Sequence, residues 1–326
     1  MKKFKKLFML VFAFIVGLGS MIGLASCKQN DNGKLNIVCT TFPEYEWARE
    51  IIGEEKDNFN LKLLMNNGTD LHSYQPSIPD IAKITTSDIF IYVGGESDEW
   101  VEDVLKNAKN KNMITINLLE VLGDKAKEEE VKEGMQEEHE GEEHEHDEEE
   151  VEYDEHVWLS IKNAKIFVEE IAQAVASIDS ENESIYFDNA NEYISKLSAL
   201  DSLYEETFEN AQTKTLLFAD RFPFRYLVED YGLDYYAAFV GCSAETEASF
   251  ETIEFLTSKV NDLHIKVILK IETSGDSIAK TIKENSHDKD QQILTLDSMQ
   301  NTTLKSKKTY LSILESNLEV FQEAVN

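Results

Sequence analysis

The sequence predicts an α/β protein of two lobes, each a mostly parallel sheet with flanking helices, joined by one long helix. Short apolar strands alternate with amphipathic helices in both halves of the chain. This alternation is typical of parallel sheets covered on both faces. Between the halves, residues 182–212 form one helical pattern without proline or glycine. At about 1.5 Å per residue, this helix would be on the order of 45 Å long and could connect two lobes rigidly.

The first half of the chain contains the elements of one lobe. Residues 34–39 (KLNIVC) are an apolar run of strand length, and the helical pattern at 44–53 ends in glycine, a residue that often ends helices. Pro79 is well placed to open the next helix. The remaining predicted elements are strands at 61–65, 89–93 and 113–117 and helices at 98–108 and 161–178.

The same alternation restarts after the long helix. Residues 215–219 (TLLFA) and 265–271 (IKVILKI) are apolar runs of strand length, bounded by polar residues. The further predicted elements of this lobe are strands at 233–239 and 292–296 and helices at 223–231, 249–263, 276–285 and 304–325.

The N-terminus indicates export. Four lysines precede the apolar residues 7–16, which is the arrangement of a secretory signal peptide. The following Leu-Ala-Ser-Cys resembles the lipobox of bacterial lipoproteins, in which Cys27 would be acylated; an uncleaved anchor helix is the alternative. We therefore predict these segments: signal peptide 1–26, tether 27–33, N-terminal lobe 34–180, connecting helix 181–212 and C-terminal lobe 213–326.

Half of the net charge lies in one short segment. Between Glu128 and Glu155 the chain carries 17 acidic residues and one lysine, or −16 of its −32. Because like charges at this density cannot form a core, residues 126–155 are predicted to be a loop on the folded body. His139, His144 and His146 lie within it, and short histidine-rich tracts often bind metal. The negative charge also argues against nucleic acid and anionic lipid surfaces as partners.

Only Cys39 and Cys242 follow Cys27, which is too few for a disulfide framework in an exported chain of this length. The sequence leaves open whether they form one disulfide, remain free or lie near a metal.

Several polar residues follow predicted strands, at the edge where open α/β sheets bind ligands. His72 comes after the second strand, and His156 directly precedes an apolar helix entry, DEHVWLS. The strand-end residues of the second lobe are Asp220, Arg221, Glu272 and Asp297. Motifs such as HExxH, GxSxG, the P-loop and GxGxxG do not occur, so the sequence predicts a binding protein and not an enzyme.

The segment GTDLHSYQPSIPDIAKITTSDIFIYVGG resembles the first-lobe motif of the zinc and manganese solute-binding lipoproteins of ABC transporters. The acidic histidine run followed by DEHVWLSIKNA is similar to the loop and second ligand motif of the zinc-specific members. YGLDYYAAF, ETEASF and ILTLDSM extend the resemblance over essentially the whole mature chain. The resemblance implies two α/β lobes that capture a divalent metal outside the cytoplasmic membrane. It also implies delivery to a membrane permease with its ATPase.

The resemblance implies His72, His156 and Asp297 as metal ligands. At the third ligand position, where zinc members carry histidine and manganese members glutamate, this chain has Arg221. A guanidinium has no lone pair for a metal. Asp220, Cys242 or water could replace that ligand, or the site could prefer another cation. Arg221 itself is expected to turn away and pair with a carboxylate, for which the candidates are Asp220, Glu245, Glu247 and Glu272.

Two imidazoles and a carboxylate suit zinc. We therefore predict a lipid-anchored zinc-binding protein of an ABC importer. Three alternatives remain: a manganese-binding member of the same class, since manganese favours oxygen ligands; a secreted zinc metalloenzyme; and an adhesin-like or metal-buffering lipoprotein without a transporter.

Overall fold

Two four-stranded parallel sheets form the framework of the computed structural model, which describes residues 33–136, 152–243 and 247–326. Both sheets lie within one compact unit, Leu35–Asn326. Helices follow the strands in both sheets, so the predicted fold class, two α/β lobes with one long helix between them in sequence, is confirmed.

The first sheet has the strand order β2-β1-β3-β4. Strand β1 lies inside this sheet and pairs in parallel with β2 and β3. The strands are β1 (Leu35–Cys39), β2 (Phe59–Leu63), β3 (Ile89–Tyr92) and β4 (Ile114–Asn117). The helices of this lobe are α1 (Phe42–Ile52), α2 (Ile78–Ile84), α3 (Trp100–Lys106), α4 (Leu118–Leu122) and α5 (Ile161–Ile178).

The second sheet repeats this plan with the strand order β6-β5-β7-β8, and all of its pairings are parallel. Its strands are β5 (Thr215–Phe222), β6 (Asp234–Val240), β7 (Val267–Ile271) and β8 (Gln292–Leu296). Its helices, numbered after the long helix α6 (Glu183–Glu209), are α7 (Arg225–Asp230), α8 (Phe250–Asp262), α9 (Ser277–Asn285) and α10 (Tyr310–Val325).

The long helix α6 joins the lobes through their shared core. It packs against α5 and α1 of the first lobe and against α10 of the second. Buried residues of both sheets belong to one continuous apolar cluster, and a smaller cluster lies under α8 and α9. The apolar surface that drives folding therefore stabilises the two lobes together.

Two elements differ from the sequence prediction in ways that affect the site. Strand β5 continues past Ala219 to Phe222, with a shift of register against β6 between Phe218 and Arg221. The terminal helix begins at Tyr310 and not at residue 304, because Lys307 adopts a left-handed conformation, with φ 58°, after a short 3₁₀ turn.

Among the described residues, every helix is too short or too polar to cross a membrane.

Candidate metal centre

His72 lies in a short turn within the loop between the first-lobe strand β2 and helix α2. Residues Leu71–Ser73 form one turn of 3₁₀ helix, and the Asp70 carboxylate caps it by accepting a hydrogen bond from the His72 backbone N–H at 3.1 Å. Leu71 is buried below the turn. The turn thus holds the His72 ring, with 11% of its side chain exposed, at the carboxyl edge of the sheet.

His156 is fully buried where the acidic segment returns to the core. The next residues, Val157–Leu159, form a 3₁₀ turn that leads into α5, and all three are buried. The Asp154 carboxylate accepts a hydrogen bond from the His156 backbone N–H at 2.8 Å and lies 3.0 Å from the ring Nδ1. One carboxylate therefore fixes both the backbone and the ring of His156.

The two histidines meet through their Nε2 atoms, which are 3.1 Å apart. A carboxylate accepts but cannot donate, so the His156 Nδ1 beside Asp154 carries the proton, and its Nε2 carries a lone pair. The Nδ1 of His72 faces Ser97 Oγ at 2.9 Å and Glu155 Oε2 at 3.3 Å, which orients this ring in the same way. When neither Nε2 carries a proton, the two lone pairs face one another and can bind one cation between them.

Glu155 is buried and bound to the turn before α3. Its Oε1 accepts a hydrogen bond from the Ser97 backbone N–H at 2.7 Å. Burial would raise the pKa of Glu155, but hydrogen bonds from His72 and Ser97 and the charge of His72 outweigh it, so the pKa lies below its usual value. The ionised carboxylate beside His72 is the kind of partner that orients metal-binding imidazoles.

Cys242 completes a cluster with the two histidines. It follows β6 of the second lobe, and its Sγ lies within 4.8 Å of a ligand nitrogen of each ring. Its backbone N–H donates to Glu129 Oε1 at 3.2 Å, and the thiol is free of any disulfide. Burial and the nearby carboxylates raise its pKa well above the usual value. The metal-free protein therefore holds a protonated thiol, which a metal would convert to thiolate.

Gly241 makes the approach of Cys242 to His156 possible. A Cβ at this position would lie 2.9 Å from His156 Cε1, 3.0 Å from its Nδ1 and 3.0 Å from the Phe222 carbonyl oxygen. Neither the buried ring nor the strand backbone has room to move away. Only glycine lets the loop of one lobe contact the histidine of the other this closely.

We expect Gly241→Ala to lower zinc affinity at least several-fold, because the added methyl group separates Cys242 from His156. Zinc titration of the folded variant measures this loss. Gly275→Ala is the matched control, since its Cβ would meet no atom within 4 Å. Wild-type affinity in Gly241→Ala would contradict the close approach.

The structure does not bring Asp220 into the cluster. Its carboxylate accepts hydrogen bonds from Ile271 N at 2.9 Å and Ser274 Oγ at 2.8 Å, so it faces the end of β7. Strand β5 does have the register shift that could have turned Asp220 towards the histidines. Arg221, however, is the residue whose side chain extends into the cleft, where it contacts Asp70. Among the described residues, Arg221 pairs with a carboxylate, as expected, but the partner is Asp70 and not Asp220, Glu247 or Glu272. The fourth candidate, Glu245, lies outside the described residues.

Asp297 also lies outside the cluster. Its Oδ2 pairs with Lys308 Nζ at 2.7 Å, and its Oδ1 accepts a hydrogen bond from Met299 N at 2.9 Å. Neighbouring Glu272 binds the backbone and hydroxyl of Ser298, and burial raises its pKa to about 7. Of the predicted ligands, the structure thus groups His72, His156 and Cys242.

Four residues that position this cluster were not predicted from the sequence. Asp154 and Glu155 directly precede His156, but in the sequence they cannot be distinguished from the other acidic residues of the run. Ser97 and Gly241 carry no signal of their own in a single sequence. The loop histidines His139, His144 and His146 and the predicted lipidation site Cys27 lie outside the described residues.

Comparison with known proteins identifies relatives over most of the chain. The zinc-binding lipoprotein AdcA of Streptococcus pneumoniae is 32% identical over 94% of this chain, which spans 58% of AdcA. The high-affinity zinc uptake system protein ZnuA of Bacillus subtilis is 30% identical over 99% of this chain and 98% of its own length. The Zn(II)-bound ZnuA-like domain of the S. pneumoniae AdcA superposes with a TM-score of 0.69 and 29% identity, covering 90% of this chain and 99% of that domain.

The chain therefore spans just over half the length of the AdcA relative, but nearly all of ZnuA. The family described as ZnuA, zinc-uptake complex component A, periplasmic, matches residues 37–324. This match confirms the family that the GTDLHSYQP and DEHVWLS motifs predicted. The chain belongs to the periplasmic component A family of zinc-uptake complexes.

Proposed function

We propose that this protein captures Zn²⁺ outside the cytoplasmic membrane and delivers it to an ABC importer, with His72, His156 and Cys242 as its protein ligands. The observation that supports this most directly is the pair of facing imidazoles, whose Nδ1 atoms point towards oxygen partners and whose Nε2 atoms are 3.1 Å apart. In a tetrahedral site with Zn–N bonds of about 2.0–2.1 Å, two ligand nitrogens would be roughly 3.4 Å apart. The observed spacing is close to that value.

The donor atoms favour zinc over manganese. Two imidazole nitrogens and one thiolate are ligands of zinc sites, whereas manganese prefers carboxylate, carbonyl and water oxygens. Asp220 and Asp297 are bound elsewhere among the described residues, so neither adds a carboxylate oxygen to the two imidazoles and the thiol. This preference supports zinc as the cargo, in agreement with the names of the ZnuA and AdcA relatives.

The test is metal analysis of the purified mature protein, followed by competition between zinc and manganese. We expect one tightly bound Zn²⁺ per chain that a large excess of Mn²⁺ does not displace. Displacement by Mn²⁺ at similar concentration would contradict the proposed cargo. The same preparation, incubated with broad hydrolase substrates, should release no product, because the family match supports capture and not catalysis.

We also propose that the partners are the permease and ATPase of one importer, and that a lipid on Cys27 holds the mature chain at the outer face of the cytoplasmic membrane. The family description as a zinc-uptake complex component and the lipobox-like residues support this. Cys27→Ala should abolish acylation and alter signal processing. If this variant still enters the detergent phase as a processed, lipid-modified protein, the anchor is elsewhere.

The acidic histidine segment is proposed as an auxiliary site that binds metal weakly. Its two ends are close together, since Glu129 N donates to the Glu152 carbonyl oxygen at 2.9 Å and Asp154 N to that of Lys127 at 2.8 Å. Glu129 also contacts the Cys242 loop, so the segment leaves and returns beside the cluster.

Deleting residues 138–150 should remove weak metal equivalents and leave the tight site unchanged. The deletion spares Gln136, which binds Ala238 and Ser249. Loss of tight binding on deletion would show that the segment supplies an obligatory ligand.

A further inference from the structure

Arg221 makes contacts that connect the two lobes. One guanidinium nitrogen, NH2, lies 3.1 Å from Asp70 Oδ2 of the first lobe and 3.1 Å from Thr273 Oγ1 of the second. The other, NH1, donates to the Ser243 carbonyl oxygen at 3.2 Å. The Arg221 and Asp70 side chains are only 13% and 18% exposed, so this ion pair is largely shielded from water.

Two of these partners, Asp70 and Ser243, belong to loops that carry proposed ligands. The Asp70 carboxylate binds Arg221 through Oδ2 and caps the His72 turn through Oδ1. Ser243 directly follows Cys242. One planar guanidinium thus connects, through two residues, the loop of His72 and the loop of Cys242, although these loops belong to different lobes.

We propose that Arg221 is a positioning residue that holds the His72 and Cys242 loops together and thereby sets how tightly the site retains its metal. This inference rests on the proposed zinc site, and it gives a role to the residue that replaces the third ligand of the family pattern. The arginine does not touch the metal. Its ion pair across the cleft lowers the cost of assembling ligands from two lobes, because it holds the two ligand loops in fixed positions relative to one another.

The geometry requires an arginine. The guanidinium presents several N–H donors in a fixed plane, so it can donate to a carboxylate, a hydroxyl and a carbonyl at once. A lysine ammonium would keep the positive charge but is a compact point charge on a flexible stem. Arg221→Lys should therefore bind zinc almost as weakly as Arg221→Gln.

The experiment is a double-mutant cycle read by zinc affinity and dissociation rate. We expect Arg221→Gln to lower zinc affinity about 10–100-fold, the range typical of losing a partner that supports metal ligands. Most of this loss should be faster dissociation. Asp70→Asn should act similarly, because it keeps the acceptor that caps His72 while removing the charge. The double variant should bind no more weakly than the weaker single variant, since both changes break one connection.

A second readout separates positioning from ligation and from general stability. With cobalt as the probe, Arg221→Gln at saturation should keep the thiolate-to-cobalt charge-transfer band, because Cys242 still binds. Arg49→Gln is the matched control: Arg49 pairs with Glu46 and Glu50 of α1 and contacts neither ligand loop. Its zinc affinity should equal that of the wild type.

Three results would overturn the proposal: wild-type affinity in Arg221→Gln, additive losses in the double variant, or complete rescue by lysine. If Arg221→Gln fails to fold, Asp70→Asn alone must show the affinity loss, and wild-type binding in that variant would overturn the proposal. A wild-type protein that binds no zinc would overturn the proposed function itself and this role with it. If the wild type binds zinc tightly and Arg221→Gln binds it equally tightly, only the positioning role is overturned.

Discussion

Cys242→Ala should lower zinc affinity by more than the roughly 10–100-fold that follows loss of an outer-shell partner, because it removes the thiolate proposed as a metal ligand. It should also change the protons released on binding. The metal-free thiol is protonated, since burial and nearby carboxylates raise its pKa, and zinc binds the thiolate. Wild-type affinity should therefore increase as the pH rises, and this dependence should weaken in the variant.

Titrations in buffers of different ionisation enthalpy measure this proton release. Cys39→Ala is the control, since Cys39 is the other free cysteine among the described residues and is fully buried in the first-lobe core. It should cost folding stability, through the cavity that it leaves, without changing zinc affinity. Equal zinc affinity in Cys242→Ala and the wild type would remove Cys242 from the site.

His156→Ala is expected to abolish tight zinc binding. The imidazole is fully buried, and its ring faces His72 Nε2 on one side and Asp154 on the other. Its removal takes away one proposed ligand and leaves the Asp154 carboxylate without its ring partner. The zinc-induced rise in melting temperature should therefore disappear, because a ligand stabilises a protein only in proportion to its occupancy.

Melting curves with and without zinc test this expectation. His287→Ala is the control, because His287 is exposed on the second lobe and lies outside the cluster. A wild-type zinc shift in His156→Ala, with a normal metal-free melting temperature, would exclude His156 as a ligand.

The fold could be predicted because its signals are local. Most strands are short and largely apolar, and the long helix α6 has no proline or glycine to interrupt it. The predicted end of the terminal helix was correct, but its start was not. The left-handed turn at Lys307 carries no glycine, so nothing in the sequence marks it.

The same turn explains why the role of Asp297 could not be read from the sequence. By ending the 3₁₀ turn at Lys307, the chain places Lys308 against the Asp297 carboxylate. The position of His72 and His156 at the cleft was predictable, since each stands next to a recognisable element boundary. Their 3.1 Å contact joins residues 84 positions apart and depends on packing between elements.

The identity of the third cluster residue depended on strand geometry. In a regular strand, neighbouring side chains point to opposite faces, so only one of Asp220 and Arg221 can face the cleft. The register shift after Phe218 decides in favour of Arg221. With Arg221 paired across the cleft, Cys242 brings a ligand atom of the second lobe close to the two histidines. A single sequence contains no signal for that shift.

X-ray absorption spectroscopy of the zinc-loaded protein tests the central claim most directly, because it identifies the atoms bound to the metal. The account predicts one sulfur at about 2.3 Å and two imidazole nitrogens at about 2.0–2.1 Å, and loss of the sulfur in Cys242→Ala. A wild-type spectrum with only nitrogen and oxygen neighbours would contradict it.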